Sequence, residues 1–247
     1  MSALRLNPAV DVLAHRRRIA ERGRAHIAEF LEPGSARRLL AGLELQPRWN
    51  LVATLHGRHV DMDAAGMDRQ GAAEKAAFLA AVHQPAREGA FQYLYGSIPI
   101  YDIHHKGARD RPLLNEIFEF LNSASVIEFV RTLTGATDIG FADAQATRYS
   151  AGHFLTAHDD GIEGKDRRAA YVLNLTQDWR ADWGGLLLFI GADGHVEEAF
   201  TPKFNALNIF LVPQLHAVSI IAPFAPRPRY AVTGWFRAGR DPGLSAP

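Results

Sequence analysis

The order of apolar and polar residues divides the chain into a first part with mostly helical periodicity and a second part rich in β patterns. In the first part, apolar residues recur at helical spacing over residues 10–30, 33–43, 72–82, 112–121 and 125–133. Residues 49–59 alternate as in a strand, and the polar, glycine-bearing residues 57–71 are typical of a loop. We therefore predict five helices, one early strand and an exposed loop before residue 135.

After residue 135 the pattern changes to short β-rich runs that are separated by glycines and prolines. The predicted strands span residues 143–149, 169–175, 186–190, 195–200, 206–211, 216–221 and 229–236. Because no helical segment lies between them, the pattern favours a jelly roll or barrel over a parallel sheet. We predict a mainly β fold with a helical flank (α+β): a double-stranded β-helix, or jelly-roll, core with N-terminal supporting helices.

The composition predicts one domain. The 247 residues are 47% hydrophobic and 22% charged, which is typical of a soluble globular chain with one large core. No repeat, low-complexity tract or linker separates two halves. We expect a single domain over residues 1–247, with residues 1–135 as the largely helical flank with early strands and residues 136–238 as the core.

The charge balance limits the classes of partner. The 27 basic side chains equal the 27 acidic ones, so no net field would attract nucleic acid or an anionic membrane. No apolar run approaches the roughly 18–20 residues that span a bilayer, and residues 1–10 lack the apolar region of a signal peptide. We expect no direct nucleic-acid or membrane partner, and a cytoplasmic protein.

The absence of cysteine restricts the chemistry. Without any cysteine the sequence cannot form a disulfide scaffold, a thiolate nucleophile, a zinc ribbon or an iron–sulfur cluster. A bound metal would need histidine, aspartate or glutamate ligands. The 11 histidines make such a site feasible.

Histidine followed two residues later by an acid is a chelating pattern on a strand, because side chains at i and i+2 share one face. Chance alone gives roughly one such pair at this composition, and the sequence has three: His59/Asp61, His158/Asp160 and His195/Glu197. The first pair lies beside the predicted loop, and the third follows a predicted hairpin tip. We expect neither of these two to bind a metal.

The pair His158/Asp160 has the context that the others lack. It ends a β run and precedes a glycine-rich turn, and His216 begins a later apolar strand. Two imidazoles and one carboxylate on neighbouring strands can occupy one triangular face of an octahedral ion. The three remaining positions stay open, which suits non-heme Fe(II) and its O₂ chemistry.

An arginine at the head of the last predicted strand indicates an anion site. Arg229 precedes an otherwise apolar run, and burying an unpaired guanidinium is unfavourable unless it meets a carboxylate. Its planar donors suit a carboxylate bidentately. Arg227 is two residues earlier, would lie on the same face of the strand and is the alternative candidate for the carboxylate site, although Pro226 and Pro228 flank it and hinder regular strand pairing.

The ordered motifs from Tyr149 to Arg237 resemble the prolyl-hydroxylase branch of the 2-oxoglutarate/Fe(II) oxygenases. The hypoxia-sensing and the ribosomal-protein prolyl hydroxylases, with their bacterial relatives, are the most similar in pattern. The matching segments are Ala146-Thr147-Arg148-Tyr149, His158-Asp159-Asp160, residues 173–179, Gly184-Gly185-Leu186, residues 201–205, His216 and residues 229–235. They cover just over a third of the chain.

The resemblance implies roles for individual residues. It implies His158, Asp160 and His216 as the iron ligands. It also implies that Arg229 binds the distal carboxylate of 2-oxoglutarate with help from the Tyr149 phenol, while Asn174 occupies the position of a second tyrosine in these relatives. The implied cofactors are Fe(II), 2-oxoglutarate as co-substrate and O₂, with ascorbate as a candidate reductant.

The resemblance also suggests the substrate. It implies hydroxylation of a prolyl residue in a protein of translation, such as a ribosomal protein or an elongation factor, with residues 57–71 as a lid over the substrate peptide. The ribosomal-protein hydroxylases of eukaryotes carry a second barrel, which we do not expect after residue 238. Three alternatives stay open: the same chemistry on a small molecule or free amino acid, a non-catalytic jelly-roll binding module, and a hydrolytic zinc site on the same ligands.

Overall fold

The computed structural model describes residues 3–108 and 110–244, so the extreme ends of the predicted domain lie outside the described residues. The helices are α1 Val12–Arg22, α2 Pro33–Glu44, α3 Ala64–Asp68, α4 Ala72–Arg87, α5 Ile100–His105, α6 Pro112–Leu121 and α7 Ala124–Thr134. The strands are β1 Arg24–Ile27, β2 Asn50–Leu55, β3 Arg58–Asp63, β4 Tyr93–Ile98, β5 Ile139–Ala142, β6 Gln145–Tyr149, β7 Phe154–His158, β8 Arg167–Asn174, β9 Leu187–Ile190, β10 Val196–Phe200, β11 Ala206–Leu211, β12 His216–Val218 and β13 Arg229–Ala238. Short 3₁₀ helices span Ala181–Trp183 and Pro242–Leu244. No helix within these ranges combines the length and apolar character that crossing a membrane requires.

The strands join through antiparallel pairs into one strongly curved sheet. The order is β1-β11-β8-β13-β6-β4-β7-β12-β9-β10, with β2 between β3 and β4, and β5 beside β13. The sheet forms a nearly closed, barrel-like jelly roll with helices on its outside, so the predicted fold class is confirmed.

A large apolar core joins the helices to the sheet. The amphipathic helices α6 and α7 contribute Ile117 and Val130 to the same buried cluster as Leu173 and Val232 of the sheet. Because both helices and both central strands contribute to one buried cluster, the helical flank fixes the outer face of β8 and β13. The inner faces of these strands are then free to line a cavity.

The predicted helix over residues 10–30 is wrong beyond Arg22. Gly23 adopts the left-handed conformation (φ 67°) and caps α1, after which the chain extends into β1. Ala25 and Ile27 are fully buried, and β1 pairs along β11. The strand arises from this long-range pairing, which helical periodicity does not reveal.

The predicted loop at residues 57–71 is also wrong. A tight turn at His56 and Gly57, both with positive φ, reverses the chain into β3. Asp63 then caps α3 by accepting a hydrogen bond from the Gly66 amide (2.9 Å). The segment is therefore a hairpin strand followed by a helical turn, and it flanks the cavity described below as ordered structure.

Candidate metal centre and co-substrate pocket

The structure brings together the three side chains that the sequence predicts as metal ligands. His158 ends β7, Asp160 follows two residues later, and His216 begins β12 directly opposite His158 in the antiparallel ladder. The Nε2 atoms of His158 and His216 lie 3.4 and 3.5 Å from the two carboxylate oxygens of Asp160. Within the described ranges this is the one group of three such side chains whose ligand atoms all lie within 4.8 Å of one another.

Backbone hydrogen bonds orient both imidazoles toward Asp160. The Nδ1 atom of His158 lies 3.0 Å from the Thr156 carbonyl oxygen, and that of His216 lies 2.8 Å from the Gln214 carbonyl oxygen. Since a carbonyl only accepts, each Nδ1 carries the proton and each Nε2 presents its lone pair inward. Burial lowers the pKa of His216 to about 4, so this imidazole is neutral at neutral pH, as a metal ligand must be.

Asp160 supplies the negative charge of the centre. Burial opposes its ionisation, but the two neighbouring imidazoles favour the carboxylate form, outweigh burial and hold the pKa of Asp160 below its ordinary value. Two neutral imidazole nitrogens and one carboxylate on one side of a cavity match the donor set of a facial Fe(II) site. The residues present therefore fit Fe(II).

The other two histidine–acid pairs have different partners. His59 Nδ1 lies 2.6 Å from the Tyr93 hydroxyl, and Asp61 accepts a hydrogen bond from Asn50 (3.2 Å). Glu197 forms an ion pair with Arg24 (2.9 Å). Neither pair belongs to a three-residue ligand group among the described residues.

The three ligand side chains line a cavity of about 450 Å³ inside the jelly roll. Arg229 and Tyr149 line the same cavity. Its mouth includes two half-exposed apolar side chains, Phe91 (48% exposed) and Ile162 (54%). The cavity therefore connects a buried polar interior with an apolar rim.

Arg229 is a buried cation without a carboxylate partner among the described residues. It is 2% exposed, its Nη2 donates to Asn174 Oδ1 (3.1 Å), and its Nε has no hydrogen-bond partner. Burial lowers its pKa to about 10, so it stays charged at neutral pH. Donors left over on a buried guanidinium beside a cavity provide a site for a carboxylate. The rival Arg227 is exposed and does not line the cavity.

Tyr149 and Asn174 lie on opposite sides of Arg229. The Arg229 guanidinium carbon is 5.3 Å from the centroid of the Tyr149 ring, and burial raises the pKa of that phenol well above 10, so it remains a neutral donor. Asn174 is fully buried, and its amide nitrogen donates to two backbone carbonyl oxygens. Asn174 does not line the cavity, so its contact is with the guanidinium.

The sequence reasoning missed the wall of the cavity that β4 builds. Phe91, Tyr93 and Tyr95 alternate in the sequence and form a continuous row of ring contacts, which ends where Tyr95 stacks on Tyr149 (5.0 Å between centroids, 14° between planes). Aromatic residues at a period of two are a strand signal, so this element was detectable.

Comparison with known proteins agrees with this geometry. Residues 144–237 match the family model of the 2OG-Fe(II) oxygenase superfamily. A prolyl 3-hydroxylase of Xenopus laevis is 28% identical over 139 residues, which are 53% of this chain and 25% of that protein. The chain thus spans about a quarter or less of the length of the curated relatives it matches.

Solved structures support the same fold. A prolyl-4-hydroxylase of Pseudomonas putida superposes with a TM-score of 0.55 at 20% identity, covering 93% of this chain and 100% of that one. A prolyl hydroxylase of Trichoplax adhaerens, in complex with a hypoxia inducible factor peptide, gives 0.59 at 15% identity, covering 96% and 93%. The resemblance drawn from the sequence is therefore confirmed, and the solved structures confirm the fold.

Proposed function

We propose that this chain is an Fe(II)- and 2-oxoglutarate-dependent dioxygenase that hydroxylates a prolyl residue of a protein. The observation that carries the proposal is that the triad of His158, Asp160 and His216 and the unpaired guanidinium of Arg229 face one cavity of about 450 Å³. 2-Oxoglutarate has a metal-chelating keto acid at one end and a carboxylate at the other. A metal centre and a buried cation in one cavity match those two ends.

Different residues of the cavity bind the metal and the co-substrate. His158, Asp160 and His216 would hold the iron, and bound Fe(II) with 2-oxoglutarate and O₂ supplies the oxidising chemistry that converts a substrate C–H bond to C–OH and releases succinate and CO₂. Arg229 binds the distal carboxylate, and Asn174 holds the guanidinium in place. The Tyr149 hydroxyl donates a hydrogen bond to the same carboxylate. The buried walls exclude water from this chemistry.

A protein substrate is favoured by the rim of the cavity. Phe91 and Ile162 are half exposed beside the iron ligands, and exposed apolar side chains beside a site commonly mark the contact with a partner. A prolyl ring within an extended peptide would cover them, whereas a free amino acid would leave them in water. A ribosomal protein or elongation factor as the partner follows from the sequence resemblance.

The test compares cells with and without this chain. Intact-mass and peptide mass spectrometry of ribosomal proteins and elongation factors should find one prolyl oxygen that is absent in the strain lacking the chain. Restoring the wild-type chain should restore the modification, and restoring His158→Ala should not. Unchanged translation proteins, together with succinate formation from 2-oxoglutarate that depends on added free proline or another amino acid, would replace this proposal with the small-molecule alternative.

A further inference from the structure

The aspartate of the triad has an unusual backbone. Asp160 has φ of 64°, in the left-handed region that residues other than glycine rarely adopt. Such a conformation persists at a functional site only where the surroundings impose it. The conformation matters because it turns the carboxylate toward the two imidazoles instead of toward solvent.

Arg167, at the start of β8, holds this segment from one side. Its Nη1 donates to the Asp160 carbonyl oxygen (3.1 Å) and lies 3.8 Å from the Asp160 carboxylate. The side chain is 12% exposed, and its guanidinium carbon lies 3.6 Å from the centroid of the Trp235 ring. The guanidinium is therefore fixed by stacking on one side while it donates along its edge.

The stacking partner is itself anchored. The Trp235 amide donates to Asp143 Oδ1 (2.8 Å), and Tyr171 donates to the Asp143 carbonyl oxygen (2.9 Å). These bonds tie β13 and β8 to the segment before β6 and so fix the backbone that carries the ring under Arg167. The contacts run without a gap from Asp143 through Trp235 and Arg167 to Asp160.

We infer that Arg167 is a positioning residue that holds Asp160 in its left-handed conformation and so pre-forms the carboxylate side of the metal centre. The inference rests on the proposed function, which it deepens at one ligand. A lysine would retain the charge, but its compact ammonium group neither stacks flat on the indole ring nor matches the edge geometry of the guanidinium. Both the planar shape and the charge are therefore required.

The test measures metal binding directly, without turnover. Mn²⁺ is titrated into the purified full chain with 2-oxoglutarate present, and the electron paramagnetic resonance signal of free Mn²⁺ gives the dissociation constant. For Arg167→Gln we expect affinity about 10- to 100-fold weaker than wild type, the usual loss when a partner of a metal ligand is removed. Arg167→Lys should recover only part of this loss.

The matched control is the next residue in the strand. Arg168 forms an exposed ion pair with Asp138 (2.8 Å) on the opposite face of β8. Arg168→Gln should bind Mn²⁺ within about twofold of wild type, as expected for a surface pair. Arg167→Ala adds a rescue experiment, in which millimolar guanidinium ion should restore part of the Mn²⁺ affinity by occupying the vacated place. General damage to the fold would not respond to the added ion.

The opposing results are distinct. Wild-type Mn²⁺ affinity in a folded Arg167→Gln variant would overturn the inference. A higher KM for the peptide with unchanged Mn²⁺ affinity would also overturn it, because that result would assign Arg167 to contact with the substrate. If Arg167→Gln does not fold, Arg167→Lys decides by the same measurement. Failure of the wild-type chain to bind Mn²⁺ would instead refute the proposed function.

Discussion

Replacing Arg229 by methionine should stabilise the ligand-free protein while it strongly weakens binding of 2-oxoglutarate. The guanidinium is buried and charged, and among the described residues its hydrogen-bond partner is the neutral Asn174 amide. Methionine keeps an unbranched apolar stem that adapts to irregular space. The change therefore removes the buried charge without opening a large cavity in the core.

The magnitude follows from the pKa of Arg229. Burial lowers it from 12.5 to about 10, which corresponds to roughly 3 kcal/mol at about 1.4 kcal/mol per tenfold change in proton affinity. At pH 7 the group is charged in both the folded and the unfolded chain. The cost is therefore present across the neutral range and is lost only as the pH rises through the folded pKa. Loss of the bond to Asn174 opposes the gain by about 1 kcal/mol, which leaves a net stabilisation of about 2 kcal/mol.

The assay combines thermal unfolding with ligand binding. For a chain of this size we expect a Tm increase of roughly 4–8 °C for Arg229→Met without ligand. With Mn²⁺ present, the loss of a buried charged partner should weaken 2-oxoglutarate binding at least about 30-fold. Arg227→Met, at the exposed rival position, is the control and should change neither quantity. A lower Tm together with retained 2-oxoglutarate binding in Arg229→Met would refute the reasoning.

Three further changes test other parts of the site. His158→Ala should abolish Mn²⁺ binding and succinate formation, whereas His195→Ala, which alters a pair outside the centre, should leave both unchanged when they are measured in parallel. Burial raises the pKa of Asp143 from 3.8 to about 6, so wild-type stability falls as the pH rises from about 3.8 to about 6, and the full cost is present above that window. Asp143→Asn should therefore stabilise the protein in urea unfolding by about 2–3 kcal/mol at pH 8 and by roughly half as much at pH 5; an equal gain at both pH values would contradict this reasoning. Phe91→Ala should raise the KM for a peptide substrate roughly tenfold, because about 1.5 kcal/mol of apolar contact is lost, and a direct binding titration should find the 2-oxoglutarate affinity unchanged. If peptide and 2-oxoglutarate binding weaken equally, Phe91 is not a specific contact for the substrate.

The elements that sequence patterns predict best are those whose burial follows a local period. The predicted bounds 112–121 and 206–211 coincide with α6 and β11. The spacing of residues 158 and 160 marked the pair correctly, but β7 ends at His158 and Asp160 lies beyond it with positive φ, so strand alternation is not what brings the two side chains together. That His216 lies directly opposite His158 depends on antiparallel register, which the sequence suggested only through the order of its strands.

The elements that were missed depend on distant partners. β1 has four residues and becomes a strand because β11 offers it a paired edge. β3 is half polar, and its pairing with β2 follows from a turn that needs positive φ at His56 and Gly57. For Asn174, the resemblance suggested a co-substrate contact through its position in the motif, but its depth behind Arg229 is a tertiary property. Local patterns carry no information about such depth.

Several groups around the cavity are individually unfavourable to folding. Arg229 is charged and buried, Asp160 is left-handed, and Asp143 is an acid whose pKa is raised by burial. Such costs are tolerated where surrounding structure over-determines the fold, and here the apolar packing of α6 and α7 on the outer faces of β8 and β13 provides that support. The helical flank would thus affect the chemistry indirectly. A core substitution such as Val130→Ala, far from the iron ligands, should lower Tm by several degrees and leave the Mn²⁺ dissociation constant unchanged as long as the protein remains folded. If the metal affinity also falls at temperatures well below the unfolding transition, the geometry of the site depends directly on the packing of the helical flank.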